Sequence, residues 1–225
     1  MAQNYNRDFS LGIVGKYAEV ANRLPPQSFI LEIGCHTGYF TQFLMQNGHD
    51  VLGIEIDESA SRVAVEKGCK VLCCNIENID IQKNIDQKFD VILLMDVVEH
   101  FVYPEKILLS LKSLLKPDGK VIITGPNVGY WAVRKNLLLG RWNYSESGIM
   151  DRTHLHFYTA DTWKDLLEKS GYQVVQLIPT EGMIPFEQYL SKVLKQDTLV
   201  KLRNLMIKIM PELFTIVWLI EVSPT

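Results

Sequence analysis

The chain is poor in the residues that announce a disulfide scaffold or a structural metal. It has only four cysteines in 225 residues, at positions 35, 69, 73 and 74. No C-x-x-C pair occurs among them, so neither a zinc knuckle nor a secreted disulfide framework is indicated, and reduced thiols are expected. An excess of positive charge is also missing. Lys and Arg total 23 against 26 Asp and Glu, a formal net charge of -3, which gives no general attraction to phosphate backbones and argues against a nucleic-acid partner. No apolar run approaches the roughly 20 residues that a membrane-spanning helix needs. The first twelve residues, MAQNYNRDFSLG, lack the basic-then-apolar pattern of a leader. A cytoplasmic protein without stable membrane association is the expectation.

What is present is an alternation. The runs FILEI (29–33), DVLGIE (50–55), KVLCC (70–74), FDVILLM (89–95) and KVIIT (120–124) are short and continuously apolar, as buried parallel strands are. Between them lie helical patterns over 39–47 and 58–67, closed by Gly48 and Gly68 in the manner of left-handed C-caps. Pro104 opens a further helix, Pro117-Asp118-Gly119 reads as a turn, and Thr159 as the N-cap of a helix ending near Gly171. Strands over 172–178 and 213–222 complete the series. The length suits a single domain, 1–225. The expected fold class is α/β, a doubly wound, mostly parallel seven-stranded sheet with a C-terminal antiparallel strand. Residues 126–158 have no clean period and read as a functional loop or cap. Residues 186–210 read as a helical insertion with three open roles: packed on the domain, a lid or homodimer contact, or a membrane-resting helix. The small positive excess, interrupted by Asp197, favours the packed or lid form over the membrane one.

In an open α/β sheet, ligands bind beyond the carboxyl ends of the strands, so LEIGCHTGYF (31–40) is the first place to look. Gly34 and Gly38 permit left-handed dihedrals and close backbone approach. A dinucleotide fingerprint would need two more glycines where His36 and Tyr39 stand, which weakens a nicotinamide-dependent oxidoreductase reading. Glu55 ends the second strand about 20 residues after Gly34, the separation that sets a carboxylate against ribose hydroxyls.

These segments resemble the class I S-adenosylmethionine-dependent methyltransferases from about residue 29 to 125, with weaker continuation beyond. The family's acid followed by G-x-G-x-G corresponds to Glu32, Gly34, Cys35, His36, Thr37 and Gly38. The resemblance implies that Glu55 takes the ribose, Ile56 lies beside the adenine, and CCNIEN sets Asn75 near the exocyclic amine and the backbone of Ile76 near the ring. FDVILLMDVVEHF implies Asp96 and Val97 along the methionine arm, with Glu99-His100 following. Two positions depart from the pattern: His36 replaces the middle glycine, and Asn75 replaces the usual aspartate. The implied cofactor is S-adenosylmethionine and the implied activity is methyl transfer to a small-molecule acceptor, with a hydroxyl oxygen as the leading guess. A non-catalytic nucleoside-binding protein of the same fold is the other alternative, because fold alone does not confer activity.

The candidate bases lie in DRTHLHFYT (151–159), where Asp151, His154 and His156 cluster. If that segment is extended, His154 and His156 share a face. His154 is the first choice to deprotonate an oxygen acceptor, His156 the second. A structural role holding the loop to the core competes for each, and a metal site ranks last because a single carboxylate accompanies the pair. For His100 a helix-start hydrogen bond is the expected job, and Tyr130, Trp131, Trp142 and Tyr144 are candidate walls of an acceptor pocket.

Overall fold

The computed structural model describes residues 13–225, so the stretch read for a leader lies outside the described residues. Seven strands, β1 (Phe29–Ile33), β2 (Asp50–Glu55), β3 (Lys70–Cys73), β4 (Phe89–Met95), β5 (Leu115–Pro126), β6 (Tyr172–Gly182) and β7 (Thr215–Pro224), form one sheet in the order β3-β2-β1-β4-β5-β7-β6. The first five pair in parallel, and β7 runs antiparallel to both of its neighbours. Order reverses between β1 and β4, where a doubly wound sheet opens a crevice at its carboxyl edge.

Among the described residues, ten helices flank the sheet: α1 (Lys16–Ala21), α2 (Tyr39–Gln46), α3 (Glu58–Glu66), α4 (Ile81–Asn84), α5 (Pro104–Leu111), α6 (Trp131–Leu138), α7 (Ala160–Lys169), α8 (Glu187–Leu190), α9 (Gln196–Ile209) and α10 (Pro211–Phe214). Both faces of the sheet are covered, which is why its strands are apolar without alternation. Along β4, Ile92 and Leu94 enter one core layer and Val91 and Leu93 the other, all four fully buried. Gly48 and Gly68 stop α2 and α3 in left-handed conformations, with φ of 88° and 87°.

Three expectations shift. Pro117-Asp118-Gly119 is not a free turn between helix and strand but lies within β5. Residues 116–119 bulge within β5, between the pairs Phe89 with Leu115 and Val91 with Lys120. β6 runs on to Gly182, and Leu213 belongs to α10 rather than to β7. Residues 126–158 are not all loop, because α6 lies inside them. The 186–210 insertion supplies α8 and α9, whose apolar stripe packs. Leu199, Ile184 and Phe214 make a small separate core, joined by Trp131 of α6 and by Leu202 and Met206 of α9. The described residues contain no helix long and apolar enough to cross a membrane.

Thr159 begins α7 with a reciprocal cap: its hydroxyl accepts from the Thr162 amide at 3.4 Å, and the Thr162 hydroxyl accepts from the Thr159 amide at 2.8 Å. Thr159→Ala should therefore cost about 1 kcal/mol, a drop of roughly 2–4 °C in Tm by thermal melting. An unchanged Tm would show that the cap contributes nothing.

Candidate functional site

The turn after β1 is built from alternate left-handed residues, Gly34 (φ 77°), His36 (φ 49°) and Gly38 (φ 71°). Gly34 is required sterically as well, since a Cβ there would lie 2.5 Å from a Val97 methyl. His36 keeps the backbone conformation that the middle glycine of the related motif would have, and its side chain turns toward Tyr39, ring centroids 6.3 Å apart. Cys35 is buried, with its sulfur against Gly53 of β2, so only its backbone can face a ligand. Burial pushes its thiol well above the ordinary range.

Glu55 holds this turn in place. One carboxylate oxygen accepts from the His36 amide at 2.7 Å and the other from the Asp57 amide at 2.8 Å. Each oxygen keeps a further lone pair, and the carboxylate is fixed in direction before any ligand arrives. Ile56, next in the chain, is 65% exposed, an apolar surface left open at the crevice. Asn75 spends its side-chain oxygen on the Glu77 amide at 2.9 Å, capping a short 3-10 turn, and the Ile76 side chain is buried in the core beneath.

Two further acids define the floor. Glu32 is buried against Thr41, whose hydroxyl donates to it at 2.6 Å, and desolvation raises its carboxyl to about 7 despite that bond. Asp96 stands just past β4 at φ 53°, accepting from the Thr124 hydroxyl at 2.9 Å and paired with the ammonium of Lys16. Burial opposes ionisation of Asp96, but the adjacent Lys16 charge wins and holds the carboxyl below its ordinary value. Lys16 is itself buried, and its Asp96 partner more than offsets the desolvation, keeping it charged. No sequence signal marked Lys16, because it lies 80 positions away from Asp96 in a helix of ordinary pattern.

The 151–158 segment is tied to the same edge. The Glu99 carbonyl accepts from the amides of Leu155 (2.9 Å) and His156 (3.1 Å), and Asp151 accepts from the Thr153 amide and hydroxyl at 2.8 and 2.7 Å. The segment is folded into a turn rather than extended, so the two histidines part company. His156 stacks on Tyr158 with ring centroids 5.9 Å apart, whereas His154 meets His100 at 4.8 Å and sets Nε2 3.9 Å from a Glu99 oxygen. His100 does not serve a helix start; its Nδ1 lies 3.2 Å from the Thr153 carbonyl. Glu99 is fully buried, and burial, with Asp96 nearby, drives its carboxyl well above the usual range. Burial lowers His154, leaving a neutral imidazole at physiological pH, with the neighbouring His100 acting in the same direction.

The four aromatic candidates also divide. Tyr130 is buried and Trp131 is held by α9's small core, its indole N–H donating to the Met183 carbonyl at 3.0 Å. Trp142 and Tyr144 instead remain 41% and 52% exposed and gather around Phe157, whose ring is 6.1 Å from that of His154. Elsewhere, a groove of about 780 Å³ lies between β6 and α9, lined by Pro179, Glu181, Arg203 and Lys208 among others, and includes no residue of the β1 turn.

The chain's resemblance to known proteins agrees with this arrangement. A family model described as a methyltransferase domain matches residues 5–177. A ubiquinone biosynthesis O-methyltransferase from Coxiella burnetii is 28% identical over 106 residues, 46% of this chain and 45% of that protein. The mitochondrial ubiquinone biosynthesis O-methyltransferase of Bos taurus is 28% identical over 176 residues, 71% of this chain. The matches span less than half the length of these curated relatives, 45% in both. Among solved structures, an S-adenosylmethionine-dependent methyltransferase from Archaeoglobus fulgidus superposes with a TM-score of 0.65 at 19% identity, over 92% of each chain, which establishes shared fold.

Glu32 gives the site a pH signature. Its folded value of about 7 lies above the ordinary 4.5, so folding favours the protonated form. The contribution is complete below the ordinary value and is lost as pH rises through the folded one. In cofactor-free protein, wild-type stability relative to Glu32→Gln should fall by roughly 3 kcal/mol between about pH 4.5 and 7.5, measured by urea unfolding. A flat difference would mean that Glu32 is ionised in the fold.

Proposed function

The chain belongs to this methyltransferase-domain family, with S-adenosylmethionine as its cofactor, and we propose that it methylates a phenolic hydroxyl of a small aromatic acceptor. The observation that carries the acceptor reading is the neutral His154 imidazole, at the same sheet edge as Asp96 and flanked by the partly exposed rings of Phe157, Trp142 and Tyr144. Partly exposed aromatic walls suit a flat ring, and a basic nitrogen beside them suits an acidic hydroxyl. The names of the two curated relatives, which specify O-methylation, support the same choice. The family match sets aside the nicotinamide reading.

The residues present fit the cofactor. When bound, S-adenosylmethionine supplies a methyl group made electrophilic by its sulfonium. Glu55, already oriented by two amides, has the remaining lone pairs to accept from a pair of ribose hydroxyls. Ile56 offers its exposed side chain to the adenine face, and the Ile76 backbone lies by the adenine edge. Asn75 is left with its amide N–H groups, its oxygen being used for capping. The Asp96–Lys16 pair matches a zwitterion: Asp96 takes an ammonium and Lys16 a carboxylate, so two buried charges exchange one partner for another without either being stranded. Gly34, the Cys35 backbone, Gly38, Val97 and buried Glu32 shape the cradle beneath. Positioning donor and acceptor in this way accounts for much of the acceleration expected of a direct displacement, ~7–11 kcal/mol in favourable cases.

Two measurements test the reading. Glu55→Ala should weaken S-adenosylhomocysteine binding by about ten- to a hundredfold in calorimetry, the cost of losing a charged hydrogen-bond acceptor. Unchanged affinity in a folded variant removes Glu55 from the site. With methyl-labelled cofactor, label should pass to catechols and simple phenols and not to matched anilines or benzoates. Transfer confined to an amine or carboxylate would overturn the hydroxyl assignment.

A further inference from the structure

We propose that Glu77 is a positioning residue that joins the adenine end of the cofactor site to the 151–158 segment, so that an occupied cofactor site orders the place where the acceptor binds. This link rests on the cofactor reading above. Glu77 belongs to the short 3-10 turn Ile76–Asn78 that Asn75 caps, one residue from the backbone assigned to the adenine edge. Its carboxylate reaches elsewhere. One oxygen accepts from the amides of Val102 and Tyr103, at 3.0 and 3.1 Å, 25 and 26 positions further along the chain.

The start of α5 needs a distant acceptor for a local reason. Tyr103 is its N-cap residue but makes no side-chain cap, and Pro104, the first residue of the helix, has no N–H. The residue placed to reach back in a capping box is Lys106, which offers only donors. Glu77 supplies the missing acceptor, and its negative charge suits the positive end of the helix dipole. The turn that carries the adenine contacts is thereby fastened to one end of residues 97–103.

Residues 97–103 are fastened at their other end to the 151–158 segment. The Glu99 carbonyl accepts from the Leu155 and His156 amides, and His100 Nδ1 lies 3.2 Å from the Thr153 carbonyl. Between the two attachments the backbone makes a tight 3-10 turn, Val98–His100. It is closed by the amides of His100 and Phe101, which donate to the Val97 and Val98 carbonyls at 3.0 and 3.2 Å. The side chains of Val98 and Phe101 are buried in the main core. A segment so short and so fully bonded has little internal freedom, and a constraint applied at one end is felt at the other.

Adenine held against Asn75 and Ile76 immobilises the turn that carries Glu77, and with it the 102–103 amides and the backbone back to residue 97. Freedom removed by the first ligand is not lost again when the second binds, so the acceptor meets a 151–158 segment already ordered and binds more tightly to the cofactor-loaded chain than to the empty one. The effect is mutual, because a coupling free energy between two sites acts equally in both directions. Glu77 touches no reacting atom on this account and acts through the backbone it holds.

The test follows hydrogen exchange at the Leu155 and His156 amides of the whole, nitrogen-labelled chain as S-adenosylhomocysteine is added. In wild type their exchange should slow about tenfold at saturation, a coupling of ordinary size. In Glu77→Ala the ligand should still shift His36 and Asp57, but the slowing at Leu155 and His156 should vanish. Glu77→Asp keeps the charge and falls one methylene short, so it should act like Glu77→Ala and serves in its place if that variant is unstable. Glu77→Gln retains an acceptor oxygen and should restore the slowing. A Glu77 that only caps α5 would lower Tm in Glu77→Ala and leave the response at Leu155 and His156 intact, which would overturn the link. Wild-type amides at 155 and 156 that do not respond, or a Gln variant that behaves like Ala, would overturn it too. Ligand that leaves His36 and Asp57 unmoved in wild type would instead sink the cofactor reading, and the link with it.

Discussion

Two hydrogen bonds that the Glu55 carboxylate accepts, from the amides of His36 and Asp57, are the constraint on which the crevice at the carboxyl edge of the sheet depends. They join the turn after β1 to the exit of β2, the two segments of the proposed cofactor site. With the carboxylate fixed, the turn can run through three left-handed residues, and Val97 can pack directly beneath Gly34. A ligand then meets groups that need little reordering, and less of the binding free energy is lost to entropy. The buried Lys16–Asp96 pair extends the same logic along the crevice, where opposite charges neutralise one another.

The region around Glu99 and residues 151–158 is organised differently. Its anchor is the Glu99 carbonyl, which captures the amides of Leu155 and His156 and docks the 151–158 segment on the end of β4. That docking brings His154 to His100 and buries the Glu99 carboxyl group between them. Trp142 and Tyr144 collect around Phe157, whereas Trp131 joins the small core of Ile184, Leu199 and Phe214 and ties α6 to α9. The Glu55 clamp is thus local to one strand-turn-strand unit, whereas Lys16 reaches Asp96 across 80 positions and the Glu99 carbonyl reaches the 151–158 segment across more than fifty.

This difference explains what could be read from the sequence. The parallel strands, their order of appearance, the Gly48 and Gly68 stops and the Thr159 cap follow from local pattern, and Gly34, Gly38 and Glu55 from spacing along one strand-turn-strand unit. The partner of Asp96 could not be found that way, since Lys16 carries no motif. Nor could the separation of His154 from His156, which requires the turn that Asp151 and Thr153 impose. Glu99 and His100 were visible as a pair, but only the folded 151–158 segment shows that they face His154. Asn75 illustrates a third limit: its position was legible, while the use of its oxygen as a cap depends on the 3-10 turn that follows.

We propose the β1 turn and the exit of β2, clamped by Glu55, as the cofactor site. Amide chemical shifts of nitrogen-labelled protein, followed as S-adenosylhomocysteine is added, test it residue by residue. The account predicts the largest changes at His36, Gly38, Asp57 and Val97, with the groove between β6 and α9 little affected. Saturating changes centred on Thr180, Arg203 and Lys208, with His36 and Asp57 unmoved, would contradict it.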